Sequence, residues 1–210
     1  MRLYLNRHGR TRWNKEEVFR GTADVPLDEM GRREAEKVAE ALCGRGIEVV
    51  YSSPLSRAKE TAEAIAARCG APLHIMEELR DLDFGEWQGL SRLEVQERYP
   101  DLYFLWEREP HRVVFPGGED LDAVRKRATG ALERIKEAHP HQGVALVSHR
   151  VVLKVLTCFL LGLDNSHFWH ILQDTAAISC FRFDGTKWIV QYLNDTCHLR
   201  SLSPEEKADF

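Results

Sequence analysis

Three short apolar stretches of this chain each run into a residue suited to phosphate chemistry. Arg2-Leu-Tyr-Leu-Asn6 leads to Arg7 and His8, Glu48-Val-Val-Tyr-Ser52 leads to Arg57, and Gly143-Val-Ala-Leu-Val147 leads to Ser148 and His149. Moving a phosphoryl group asks mainly for positioning and for stabilisation of the charge on its oxygens. Arginine presents a planar fork of N–H donors that matches two phosphate oxygens at once, where lysine offers a point charge. A histidine that is neutral near pH 7 keeps a lone pair on one ring nitrogen and can attack phosphorus. His8 is therefore the candidate nucleophile, Arg7 and Arg57 candidate phosphate clamps, and His149 a candidate donor to the transferring oxygens. A carboxylic acid is still required, to protonate the leaving oxygen and later to activate water. Taken singly, Arg7-His8-Gly9 reads as a loop turn, Arg57 as a solvated helix charge and His149 as a satisfied core histidine. Their recurrence at one kind of structural position is what points to chemistry.

The elements that must position them follow from periodicity. Arg2 to Asn6, Glu48 to Ser52, Leu73 to Met76 and Gly143 to Val147 read as strands, and Ala177 to Phe183 and Trp188 to Leu193 as two more, split by the Asp184-Gly185 turn signal. Ala35, Val38, Ala39 and Leu42 fall on one helical face between Gly31 and Arg45. Ser53 and Pro54 supply an N-cap and a first-turn proline for a helix running through Ala67 to Gly70. Ser91 to Tyr99 and Leu102 to Arg108 predict short helices on either side of Pro100. Asp120 to Ala138 predicts a long helix with Leu121, Val124, Ala128, Leu132 and Ile135 buried, and Val151 to Leu161 an apolar one. Strands alternating with helices predict a three-layer α/β/α sandwich with a largely parallel central sheet. In such folds ligands bind beyond the carboxyl ends of the strands, which is where Arg7, His8, Arg57 and His149 are expected to converge.

The 210 residues suffice for one core, and a single domain over 1–210 is expected. With 43% hydrophobic and 30% charged residues the composition is that of a folded globular chain. A net charge of −4 gives no electrostatic case for nucleic acid, so an anionic substrate would have to be caught by a local arginine cluster. No signal-peptide pattern opens the chain, and the apolar run Val151 to Leu163 is interrupted by Lys154 and too short to span a bilayer, so no membrane partner is expected. The five scattered cysteines lack C-x-x-C spacing, which argues against a disulfide framework or a thiolate zinc site and suggests reduced thiols in the cytoplasm. No metal or cofactor is implied.

Several blocks together resemble the histidine phosphatase superfamily in its phosphoglycerate-mutase-like branch. They are Leu5-Asn-Arg-His-Gly9 with Thr11, Trp13 and Asn14; Pro26 to Gly31; Tyr51 to Ala58 with Thr61-Ala62; Leu79 to Gly89; Gly117-Gly118-Glu119; and Val147-Ser148-His149. The resemblance covers most of the chain and implies that His8 is phosphorylated in the reaction, with Arg7, Arg57 and His149 forming the phosphate pocket. It implies phosphate binding or pocket shaping for Thr11 and Asn14, and it puts Asp81 where the family's proton donor, usually a glutamate, stands. Asp83 is the nearby rival. Arg10 and Arg150 depart from the family pattern and add positive charge; Arg150, at a helix start, is expected to face solvent or a carboxylate, while Arg10 is equally compatible with that and with a second anionic group on the substrate.

The chain is shorter than the mutases of the family, which favours a phosphatase acting on a small phosphomonoester. Glu109 to Val113, Phe115 to Glu119 and the late Asn194-Asp-Thr-Cys-His198-Leu199 resemble metal-independent phosphoserine phosphatases, implying substrate contacts for His198 and, in a lid region, for His111. Phe84 and Arg200-Ser201 depart from that group, and similar late motifs occur in α-ribazole phosphatases and broad-specificity phosphatases. Phosphoserine is the first substrate expected, with a phosphoglycerate mutase, an α-ribazole phosphatase or a non-catalytic phospho-ligand binder as alternatives. Trp13, Trp87, Trp106 and Trp169 are expected mainly as packing, with Phe168-Trp169 as a pocket wall or a contact in a homodimer.

Overall fold

The computed structural model describes residues 1–202; the last part of the expected 1–210 extent, residues 203–210, lies outside the described residues. Among the described residues six strands form one sheet: β1 (Arg2–Arg7), β2 (Ile47–Ser52), β3 (Leu73–Ile75), β4 (Gly143–Ser148), β5 (Ile178–Phe183) and β6 (Trp188–Asp195), in the spatial order β3-β2-β4-β1-β5-β6. β4 pairs in parallel with both β1 and β2, and β2 with β3. β5 runs antiparallel to β1 and to β6, so β5 alone opposes the common direction. The helices are α1 (Arg12–Lys15), α2 (Glu29–Leu42), α3 (Ser56–Cys69), α4 (Arg92–Arg98), α5 (Pro100–Arg108), α6 (Leu121–Ala138) and α7 (Arg150–Leu160).

The two faces of the sheet sort by the two-residue period of its strands. Tyr4, Val50, Ala145 and Val147 point to one side and are covered by Val38, Leu42, Ala58, Ala62 and Ile65 of α2 and α3. Leu3, Leu5, Val144 and Leu146 point to the other, under Leu132, Ile135, Val152 and Leu156 of α6 and α7. This is the expected α/β/α sandwich. Every residue of β4 is buried, as a central parallel strand requires.

Register brings the strand ends together. Arg7 lies opposite Ser148, and Ser52 opposite Val147. One residue later the backbone N–H groups of His8 and Ser53 donate to the carbonyls of Ser148 and Val147, both at 3.1 Å. The residues that follow β1, β2 and β4 thus leave the sheet side by side.

Some boundaries differ from the sequence expectation for identifiable reasons. α3 begins at Ser56 with Leu55 as N-cap, not at Ser53-Pro54. Ser53 Oγ accepts the Leu55 N–H and bonds to His149 Nε2, while Asp24 Oδ1, 32 residues upstream, accepts the Ser56 N–H at 2.7 Å. A tertiary carboxylate has replaced the local cap. α2 starts earlier than expected because Asp28 caps it through the Gly31 N–H. α5 takes Pro100 as its first residue. α1 was not expected; Asn14 Oδ1 accepts from both the N–H and Oγ of Thr11 and closes this single turn.

Two glycines set how closely α2 approaches the loop after β1. A Cβ on Gly9 would lie 2.3 Å from the Gly31 carbonyl oxygen, and a Cβ on Gly31 would lie 2.0 Å from the Arg10 carbonyl oxygen. Helix propensity alone favours alanine over glycine inside α2 by about 1 kcal/mol. The backbone contact reverses that sign. Gly31→Ala is expected to destabilise the fold by about 1–3 kcal/mol through overpacking, seen as a Tm lowered by several degrees in thermal unfolding. A stabilised variant would show that the approach is not a constraint.

Candidate active site

The ends of β1, β2 and β4 gather Arg7, the last residue of β1, with His8 after it, Arg57 in the first turn of α3, His149 after β4 and, from the segment after β3, Asp81. All five are buried, with Arg7, Arg57 and His149 at 0% exposure. The rings of His8 and His149 have centroids 5.2 Å apart and are tilted by 55°. Asp81 Oδ2 lies 3.4 Å from Arg57 Nη2 and 3.8 Å from His149 Nδ1.

A hydrogen bond assigns the proton of His8. His8 Nδ1 is 2.7 Å from the Gly9 carbonyl oxygen, which only accepts, so Nδ1 carries the hydrogen and Nε2 keeps the lone pair. Ser53 Oγ accepts the Leu55 N–H and shares a hydrogen bond with His149 Nε2 at 2.7 Å. That bond turns His149 Nδ1 toward Asp81, 3.8 Å from its Oδ2.

Ionisation follows burial. His8 is held well below the usual histidine value by desolvation, reinforced by the positive charges of Arg57, Arg7 and Arg20. His149 is likewise lowered, by burial first and then by Arg57, His8 and Arg20. Both are neutral at pH 7. Burial raises Asp81 above its ordinary value, against the opposing pull of Arg57 and Arg20. A neutral imidazole and a carboxyl whose proton affinity is raised stand in one cluster.

Each member is braced from elsewhere in the chain. Arg57 donates from Nη1 to the Ala23 carbonyl and from Nη2 to the Gly21 carbonyl. That loop is pinned by Gln88 Oε1, which accepts from the N–H and Oγ of Thr22. Thr61 Oγ accepts the Gly9 N–H and donates to the Arg57 carbonyl, tying the first loop to α3. Arg127 of α6 donates to the carbonyls of Glu78, Arg80 and Asp81 while paired with Glu119, whose Oε2 also accepts the Asp83 N–H. Gly118 packs there because a Cβ would lie 2.3 Å from the Asp83 carbonyl oxygen. Arg7 donates to the Gln173 carbonyl, and the Ala176 N–H donates to the His8 carbonyl. Asn194 in turn holds Asp174 through a pair of hydrogen bonds.

The remaining expected residues are placed as follows. Thr11 and Asn14 are buried against each other in the first turn beyond Gly9. Arg10 pairs with Asp28 at 2.8 Å. His198 Nε2 donates to the Ala176 carbonyl at 3.0 Å, so it braces the segment that holds His8. His111 is exposed in the turn Pro110–Arg112 and is not brought into the cluster. Asp83 is half-buried, and its Oδ1 accepts the Gly85 N–H instead of facing Arg57. Arg150 is half-buried, lies over the Trp169 ring at 5.6 Å and lines the cleft described next. Sequence reasoning missed Arg20, Arg127 and the bracing role of Ser53. Only Arg20, in the Phe19-Arg-Gly21 step just before the Arg57 loop, carried any local signal.

A cleft of about 460 Å³, counting its open mouth, adjoins the cluster and is lined by Val18, Phe19, Arg20, Gly21, Asp81, Phe84, Trp106, Arg150, Val151, Phe168 and Trp169. Its size suits a small ligand. Among the described residues no group of three or more His, Cys, Asp or Glu side chains is arranged to hold a metal ion, and no helix is long and apolar enough to cross a membrane.

Comparison with known proteins agrees with this geometry. Residues 3–196 match the family model of the histidine phosphatase superfamily, branch 1. Phosphoserine phosphatase 1 of Hydrogenobacter thermophilus is 37% identical over 199 residues, 95% of this chain and 94% of its own. The adenosylcobalamin/alpha-ribazole phosphatase of Escherichia coli is 29% identical, over 92% of this chain and 96% of its own. The solved structure of Bacillus stearothermophilus YhfR superposes with a TM-score of 0.90 at 31% identity, covering 94% of this chain and 98% of that one. The chain belongs to the histidine phosphatase superfamily, branch 1, and is a phosphoric monoester hydrolase.

Proposed function

We propose that this chain hydrolyses a small phosphomonoester through a phosphohistidine on His8, with L-phosphoserine as the first substrate to be named and without a metal. The observation that carries the reaction is the placing of Asp81 within 4 Å of both Arg57 and His149, beside a His8 whose Nδ1–H is fixed on the Gly9 carbonyl. Phosphoserine is supported by the relative of that name, 37% identical over nearly the whole chain.

In the first step the lone pair on His8 Nε2 forms an N–P bond as the P–O ester bond breaks, and the Asp81 carboxyl passes its proton to the departing alkoxide. Arg7 and Arg57 hold the phosphoryl oxygens, and His149 Nδ1–H donates to them. In the second step the Asp81 carboxylate takes a proton from water as the water oxygen attacks phosphorus. The N–P bond breaks, and inorganic phosphate leaves with His8 neutral and Asp81 protonated again. The arginine forks do the electrostatic work that a metal performs elsewhere.

His8→Ala is expected to lower kcat by on the order of 10⁴-fold or more, and wild-type turnover of phosphoserine is expected to persist with a chelator present. Acid-labile ³²P on His8 after quenching is the direct sign of the intermediate. Full activity in His8→Ala would sink the mechanism, and loss of turnover in chelator would sink its metal independence.

The Asp81 role has its own test. Asp81→Asn is expected to cost about 10²–10⁴-fold with an alkyl phosphate and much less with p-nitrophenyl phosphate, whose leaving group needs no proton. The pH profile gives the sign. Asp81 must be protonated for the first step and its pKa is raised, so kcat/KM falls as pH climbs through that raised value. That limb is expected to flatten in Asp81→Asn, because substrate ionisation is common to both proteins. An unchanged limb, or equal losses on both esters, would assign the proton to another group.

A further inference from the structure

We propose that Glu34 is a positioning residue for the nucleophile: its carboxylate, bound to the Arg10 N–H, polarises the Gly9–Arg10 peptide group whose carbonyl holds the His8 Nδ1–H. This rests on the phosphohistidine reading above and adds a group that acts on His8 without touching the substrate.

Two contacts meet on one peptide. Glu34 Oε2 accepts the Arg10 N–H at 2.7 Å, and the Gly9 carbonyl oxygen accepts the His8 Nδ1–H at 2.7 Å. That N–H and that carbonyl belong to the same planar amide, and no cis bond occurs among the described residues, so they point in opposite directions. Carboxylate, peptide and imidazole therefore form one chain of hydrogen bonds. Each bond in such a chain strengthens the next by polarising the group between them. The Glu34 contact is at the short end for an amide donor, as a charge-assisted bond is.

The start of α2 is arranged to deliver this carboxylate. The Asp28 N–H donates to the Arg10 carbonyl at 3.1 Å, the Asp28 carboxylate pairs with the Arg10 side chain, and Gly31 lets the helix lie against the Arg10 backbone. Glu34 follows Gly31 by three residues on the same helical face and is buried. Burial raises its proton affinity and Asp28 adds to that, while the Arg10 N–H and the charges of Arg10 and Arg7 favour the carboxylate.

The chemistry calls on this chain at one moment. Attack by neutral His8 Nε2 forms the N–P bond while Nδ1 keeps its hydrogen, so the ring is positively charged until the N–P bond breaks. Burial and the charges of Arg57, Arg7 and Arg20 oppose a positive ring, and the Gly9 carbonyl favours it. A carbonyl polarised by Glu34 favours it more. A carboxylate bonded to one ring nitrogen raises the basicity of the other, and here the carboxylate does so from one peptide away. The arginine forks stand outside this chain, since Arg57 is braced by the carbonyls of Gly21 and Ala23 and Arg7 by that of Gln173.

The test uses p-nitrophenyl phosphate, whose leaving group needs no proton from Asp81, so that attack by His8 is read alone. Glu34→Gln keeps an acceptor for the Arg10 N–H and removes the charge. In this variant the single-turnover rate of phosphohistidine formation is expected to fall about tenfold, the difference between a charged and a neutral acceptor, while inorganic phosphate binds as tightly as to the wild type. The His8 Nδ1 proton, followed by NMR in ¹⁵N-histidine-labelled protein, is expected to move upfield in the same variant. An unchanged rate, or an Nδ1 proton that does not move, overturns the proposal. So does a loss of phosphate binding equal to the loss of rate, or a Glu34→Gln protein that does not fold, since either would make Glu34 a structural residue only. If the wild-type protein formed no phosphohistidine, or His8→Ala kept its activity, the failure would belong to the reaction itself.

Discussion

The double parallel pairing of β4, with β1 on one side and β2 on the other, is the constraint on which the site depends. It fixes Arg7 opposite Ser148 and Ser52 opposite Val147, so three chain exits fall within one patch. A one-residue slip in either pairing would turn every side chain of a strand to the other face, and both faces are buried against different helices. The hydrophobic cores on the two sides of the sheet therefore hold the register that holds the site. Energy invested in packing Leu3, Leu5, Val144 and Leu146 on one side, and Tyr4, Ala145 and Val147 on the other, appears at the strand ends as positional accuracy for His8 and His149.

That patch is an expensive place for charge. Arg7 and Arg57 are fully buried, and burial raises the proton affinity of Asp81, the carboxylate beside Arg57. Burial of such groups costs free energy unless backbone groups take their donors. Here the carbonyls of Gln173, Gly21 and Ala23 do so. Those carbonyls belong to loops that are pinned in turn by Asn194 on Asp174 and by Gln88 on Thr22. Side chains far from the reacting centre thus determine where the guanidinium forks point.

The strand-end residues were legible in the sequence because each follows an apolar run whose period and flanks declare a strand. The α/β/α layering followed from the same runs. Arg127 was not legible: on α6 it reads as an ordinary polar helix residue, and only the tertiary fold shows its guanidinium on the carbonyls of Glu78, Arg80 and Asp81. The cap of α3 was misread for a similar reason, since Ser53 has the right type and position but is drawn to His149, leaving Asp24 to cap from across the fold. The stacking of Arg150 over Trp169 was not legible either, since a helix-start arginine suits solvent or a carboxylate and only the fold brings the indole beneath it. Local sequence states what a residue suits; competition among distant partners decides which of those roles it takes.

The same competition bears on the shortened acid. An aspartate reaches one methylene less far than the glutamate usual at this position, and in an open loop that deficit would matter. Here Arg127 and Glu119 draw the backbone of residues 78–83 against α6, and the Leu82 N–H holds Oδ1, so Oδ2 alone is aimed at Arg57 and His149. Arrival of a phosphate dianion then works in favour of the proposed chemistry. Its negative charge raises further the proton affinity of Asp81, and it offsets the arginine charges that add to burial in depressing His149. Once the ester bond breaks, the developing alkoxide is a far stronger base than the carboxylate, and the proton moves to it. The substrate's own charge therefore helps to prepare the proton state that its cleavage requires.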